Sequence, residues 1–144
     1  MIRIYVFSLF ILVLALFQSQ ASSSANRLSA KETPLMTKTL PDVPGKEGLV
    51  ETVFFSPGAI VPAHRHSADV FAYVLEGSII TQLKGGKPQT VHTGDVFYES
   101  PTDIHLDSRN ASKVEPAKLL VFYVKKIGAP PTVVLPSLPA ENGR

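Results

Sequence analysis

Two histidines separated by one residue, His64-Arg65-His66, are the place in this chain where side chains of the right type and spacing could do chemistry. In an extended strand successive side chains point to opposite faces, so these two imidazoles project from one side about 7 Å apart or less, close enough to share one metal ion. The run that follows, Val70 to Leu75, is aromatic, β-branched or aliphatic with no charge and closes on Glu76-Gly77, which reads as a strand ending in a turn. A second strand block starts at Gly94-Asp95-Val96-Phe97-Tyr98, breaks at Pro101, and resumes at His105 in an extended stretch ending at Asn110. His64, His66 and His105 together supply the number of neutral imidazoles that a catalytic type of metal site uses while leaving coordination positions open.

These blocks carry a family resemblance. The chain resembles a small single-domain cupin, whose first motif runs glycine, five residues, His-x-His, three or four residues, glutamate, six residues, glycine. Five residues separate Gly58 from His64, and Gly77 closes the motif. Gly94, Pro101, His105 and Asn110 match the second motif more loosely, with Pro101 and Asn110 each one residue late and Asp103 where a glycine belongs. The resemblance spans roughly Leu49 to Tyr123 and implies an all-β antiparallel double-stranded β-helix, or jelly-roll barrel. It also implies a divalent metal held by His64, His66 and His105.

One departure from the family matters for the ligand set. Val70 stands where the family places its metal-binding glutamate, and valine has no donor. Asp69 and Glu99 are the two nearby carboxylates that could replace it. Asp69 needs a bulge to re-aim it, because a shift of one residue on a strand turns a side chain to the opposite face. Glu99 ends the strand that leads toward His105. A three-histidine site suits Fe, Zn, Cu or Ni, whereas loss of the carboxylate removes the harder oxygen that favours Mn. Cupins that lack the glutamate act as dioxygenases, so the resemblance implies an oxidative or isomerising metalloenzyme for a small organic molecule. The alternative is a non-catalytic module that holds a metal or small ligand in the same barrel.

The rest of the chain must position these residues. Its 144 residues, 44% apolar and 18% charged, suffice for one domain with a core but not for two. The formal net charge of +2 falls to +1 if Arg3 is lost with a leader, which provides no basic face for nucleic acid. Met1-Ile2-Arg3 followed by the apolar stretch 4–17 and then small polar residues is the pattern of a secretory leader, assigned to residues 1–21. The stretch is short of the ~20 residues that a membrane-spanning helix needs. Ala21 or Ala25 would be the last residue removed, and the protein is expected to be exported, periplasmic or secreted, with no stable membrane span after cleavage. There are no cysteines, so the domain stands on packing without disulfides.

Residues 22–48 read as a linker arm with one short edge strand, because Pro34, Pro41 and Pro44 break any period. Short runs at 49–55, 70–75, 78–84, 90–92, 96–99, 105–108 and 118–124, punctuated by Gly and Pro, predict a β sandwich or barrel over residues 49–126. In the proline-rich tail 127–144, Thr132 to Leu135 is a candidate strand. It could pair with a second copy to make a homodimer, or lie over its own barrel. His92 is expected on the rim and Arg65 facing away from the paired histidines. Phe71, Tyr73, Phe97 and Tyr98 are expected to divide between cavity and sheet face. Asn110-Ala111-Ser112 matches a glycosylation acceptor, to which no role is given.

Overall fold

The computed structural model describes residues 30–136 and is built from eleven strands with no helix. In chain order these are β1 (Ala30–Thr39), β2 (Lys46–Phe55), β3 (Ile60–Val61), β4 (His64–His66), β5 (Ala68–Glu76), β6 (Ser78–Leu83), β7 (Gln89–His92), β8 (Val96–Glu99), β9 (His105–Asn110), β10 (Ala117–Lys126) and β11 (Thr132–Val134). One sheet has the order β1-β2-β10-β5-β8. The other runs β11-β4-β9-β6-β7, with β3 added on β9, and every pairing is antiparallel. The expected all-β double-stranded architecture is therefore present.

Period-two burial shows why these sequences form strands. In β5, Ala68, Val70, Ala72 and Val74 are buried while Phe71, Tyr73 and Leu75 are exposed; in β10, Leu119, Val121 and Tyr123 turn inward in the same way. With Leu49, Val53 and Phe55 of β2 and Ile79 of β6 they form one core between the sheets. Each fully buried aliphatic side chain of this size contributes roughly 1.5–3 kcal/mol.

The N-terminal arm departs from expectation. Its described part is a ten-residue strand, β1, paired with β2 along its length, rather than a linker with one short strand. Pro34 is accommodated because β1 is an edge strand and the register shifts between Pro34 and Met36, so no ladder bond is demanded of its nitrogen. β2 also begins at Lys46, before the expected boundary at 49. There the buried Glu47 takes hydrogen bonds from Lys125 Nζ and from the Gly128 backbone N–H, tying the ends of β2 and β10 together. The tail strand β11 lies on its own barrel, antiparallel to β4. The leader at 1–21 lies outside the described residues, as do 22–29 of the arm and 137–144 of the tail. Among the described residues no helix is long and apolar enough to cross a membrane.

Two motif residues have structural work. Gly77 has φ 72°, and a Cβ there would come within 2.5 Å of the Pro116 carbonyl, so the turn after β5 requires glycine. Asn110 is buried; its Nδ2 donates to the carbonyls of Phe55, Ser56 and Glu115, and its Oδ1 accepts from the Ser112 N–H. That amide is committed to four backbone groups, which leaves none of it for a glycan in the folded domain.

Candidate metal centre

β4 is a three-residue strand whose burial alternates buried, exposed, buried, so His64 and His66 enter the barrel and Arg65 points out. His105 opens β9 directly opposite His64 in the antiparallel register. One ligand nitrogen from each of the three histidines lies within 4.8 Å of the others. The rings of His64 and His105 are stacked with centroids 4.8 Å apart, and His66 stands edge-on to both at 5.0 and 5.3 Å.

The carboxylate comes from the neighbouring strand. Glu99, on β8, is the cross-strand partner of Val70 on β5, and directly opposed residues of a sheet share a face. Its oxygens lie 3.1 Å from His66 Nε2 and 3.6 Å from His105 Nδ1, and its side chain is 12% exposed. A carboxylate thus reaches the site one strand away from the family position. Asp69 does not: it faces the outer side of the sheet, where its Oδ1 accepts a 2.7 Å hydrogen bond from the Tyr98 hydroxyl. His92 is exposed beside Asp95, away from the three histidines.

The outer ring nitrogens are held by backbone carbonyls. Nδ1 of His64 donates to the Pro62 carbonyl at 2.8 Å, which leaves its Nε2 with a free lone pair. His66 Nδ1 faces both the Pro131 carbonyl at 3.3 Å and the Thr132 hydroxyl at 3.2 Å. The hydroxyl can donate to one tautomer and the carbonyl can accept from the other, so the ring is supported both with Nε2–H bonded to Glu99 and with Nε2 bare. His105 Nε2 is buried without any hydrogen-bond partner. A buried ring nitrogen left alone costs free energy unless something binds it. Three buried imidazoles, one nitrogen of each within 4.8 Å of the others, and a carboxylate beside His66 and His105 are a donor set that fits a divalent transition metal.

Electrostatics agree with that reading. Burial pulls His64 down to about 4, and burial likewise lowers His105, so at neutral pH both offer lone pairs without first losing a proton. Burial pushes the Glu99 carboxyl up, but the His66 hydrogen bond and the adjacent His105 outweigh it and the net direction is down.

His64, His66 and Glu99 line a cavity of about 210 Å³, with His105 behind them. Its walls are mostly apolar, including Phe55, Phe97, Leu119 and Val121. Of the four aromatics considered from sequence, Phe97 alone lines it; Phe71, Tyr73 and Tyr98 lie on the outer face. Sequence reasoning missed Tyr123, which also lines the cavity, 5.7 Å from the His66 ring, and donates a 2.9 Å hydrogen bond to the buried Glu51. Burial raises both of these groups above their ordinary values. It also missed Pro131 and Thr132. The alternation of β2 and β10 could have found the tyrosine, but no local signal marks the two tail residues.

An all-β barrel of two antiparallel sheets with a histidine triad at one end defines a class, the double-stranded β-helix proteins. Residues 51–123 match the family described as Cupin domain, and the chain belongs to that family. No curated protein matches it in sequence. Among solved structures it is similar to the DMSP lyase DddQ from Ruegeria pomeroyi, with 19% identity and a TM-score of 0.60 over 74% of this chain and 51% of the lyase. It also resembles a cupin-like protein from Thermotoga maritima, at 22% identity and TM-score 0.59 over 78% of this chain and 80% of that one. An oxalate oxidase in complex with glycolate aligns at 22% identity and TM-score 0.55, over 74% of this chain and 55% of the oxidase. The chain thus spans about half the length of the two enzymes, and the likeness shows a shared fold.

Proposed function

We propose that the protein is an exported metalloenzyme of the cupin family. It holds one divalent transition metal through His64, His66 and His105, with Glu99 as the carboxylate, and acts on a small organic molecule. The observation that carries this reading is the grouping of three buried imidazoles, one ligand nitrogen of each within 4.8 Å of the others, with the Glu99 carboxylate beside two of them and an apolar cavity alongside. Glu99 supplies the hard oxygen missing at Val70, so Mn joins Fe, Zn, Cu and Ni as a compatible ion. Such an ion supplies Lewis acidity, or O₂ chemistry if it is iron. The apolar walls exclude water from a ligand, and Tyr123 with Glu51 places a buried oxygen acid beside His66 that could hold or pass a proton. A buried acid pair this close to the histidines favours an enzyme over a purely non-catalytic module. The lyase and the oxidase of similar fold support an enzymatic reading. Elemental analysis of protein from its native compartment, followed by O₂ consumption with diketones, phenols and thiols, tests it; protein that neither contains nor takes up metal overturns it.

Glu99→Gln keeps volume and polarity but removes the charge, and is expected to weaken metal affinity about tenfold to a hundredfold, whereas Asp69→Asn leaves it unchanged. Titration of the apo protein with Zn²⁺ or Mn²⁺ measures both. Equal affinity of wild type and Glu99→Gln would reduce the ligand set to three histidines and water.

Export rests on the 14-residue apolar stretch at 4–17, interrupted only by Ser8, and the small residues after it. Intact-mass analysis of native protein is expected to show a chain starting after Ala21 or Ala25. A mass that retains Met1 contradicts export by cleavage.

A further inference from the structure

The cavity carries acid at the end formed by β1 and β2, and no basic side chain answers it. Glu32 pairs across the strands with Val53, and Glu51 pairs with Pro34 on one side and Val121 on the other, which sets the two carboxyls diagonally next to each other. Glu32 lines the cavity and, with Pro62, is one of the two lining residues exposed at the surface, so it stands at the mouth. Glu51 is 2% exposed; its Oε1 accepts the Tyr123 hydroxyl, and its other oxygen takes no hydrogen bond from the described residues. No lysine or arginine lines the cavity. Lys125, which the alternation of β10 turns inward two residues after Tyr123, is committed to Glu47 and to the Ala129 carbonyl.

Hydrogen-bond inventory sharpens this. A phenol has one proton to donate, and Tyr123 donates it to Glu51, so the oxygen it presents to a ligand offers lone pairs only. The Glu32 carboxylate beside it is likewise an acceptor. This end of the cavity therefore accepts hydrogen bonds without donating any, and its negative charge acts in a pocket of low dielectric. Burial, joined by the charge of Glu32, pushes the Glu51 carboxyl up against the pull of the Tyr123 hydrogen bond, as befits an acid without a cation. The aromatic rings of Phe55, Phe97 and Tyr123 in the walls add faces that attract positive charge.

We propose that the cavity takes an organic ammonium. The ligand is a small protonated amine whose N–H groups meet Glu32 and the Tyr123 oxygen, with the charge of Glu51 behind them, and whose apolar body lies against Phe97, Leu119 and Val121. This names the substrate class for the metal site proposed above and rests on that reading for any turnover. Binding of the ammonium, however, depends on β1, β2 and β10, whereas the proposed metal ligands lie on β4, β8 and β9. The two readings can thus fail separately. Small carboxylates are disfavoured by the same charges, since nothing at this end neutralises them.

Calorimetric titration with 2-phenylethylamine, 2-phenylethanol and phenylacetate, probes of similar size that differ in charge, tests this at neutral pH. It is run on the folded protein both after chelation and after reloading with Zn²⁺. In the chelated protein the amine is expected to bind about tenfold tighter than the alcohol, and phenylacetate more weakly than either. Glu32→Gln, on an exposed edge strand, and Glu51→Gln, which still accepts from Tyr123, are each checked for the wild-type circular dichroism spectrum. Each is expected to weaken amine binding at least about fivefold and to leave the alcohol unchanged. An amine that binds no tighter than the alcohol, that shows no binding up to about 10 mM, or that keeps its advantage in both variants overturns the proposal. Protein that takes up no Zn²⁺ yet keeps the ranking of probes overturns the metal site instead and supports the ammonium pocket.

Discussion

Replacing His64, His66 or His105 with Ala is expected to remove nearly all of the bound metal, while His92→Ala retains it. Each substitution removes one of three imidazoles that share one site, so the remaining pair with Glu99 is expected to bind a divalent ion weakly enough to lose it on dialysis; one ligand nitrogen of each ring lies within 4.8 Å of the others, His105 being paired with His64 across β4 and β9. His92 lies exposed beside Asp95 and contributes nothing to that site. Elemental analysis after dialysis reads the result, with circular dichroism to show that the barrel survives. Equal retention by wild type and His64→Ala would remove the metal-site reading and leave a metal-free binding barrel.

The second large effect is on stability. Asn110→Ala strips one donor group from three carbonyls and one acceptor from the Ser112 N–H, in a buried place. Leaving buried polar groups without partners costs about 1–3 kcal/mol each, and water will recover part of it, so a loss of about 3 kcal/mol is expected. Asn110→Asp is expected to be worse, because its carboxylate would face three carbonyl oxygens. Urea denaturation followed by circular dichroism measures both. A loss below about 1 kcal/mol for Asn110→Ala would mean that the clamp is not holding the loop.

Much of this molecule could be read from its residues, and the reasons for the gaps are specific. His-x-His is legible because strand side chains alternate, so two residues apart means one face. The choice between Asp69 and Glu99 was not legible, since it depends on which residue lies opposite Val70, and cross-strand register is a tertiary fact. β1 was hidden by Pro34, which reads as a breaker unless the strand is known to be an edge with a bulge. The Asn110-Ala111-Ser112 pattern points outward as a motif, yet the side chain turns inward to serve the backbone. The uninterrupted apolar run in β5 gave the strand and the expectation of two faces, but not which residues take which: Val70 and Ala72 line the barrel interior while Phe71 and Tyr73 lie outside.

The support of His66 by Pro131 and Thr132 bears on chronology. The two ends of that contact are 65 residues apart in the chain, and the partner strand β11 is the last of the described strands. Closing so long a loop costs entropy that is recovered only when the intervening strands are already in place. Local hairpins such as β6–β7 can form early, but the finished histidine cluster cannot. A metal bound at this site would therefore find no completed cradle to nucleate around and would enter a barrel that has already taken shape, so the proposed loading is a late event in maturation and a nascent chain has no reason to compete for the ion.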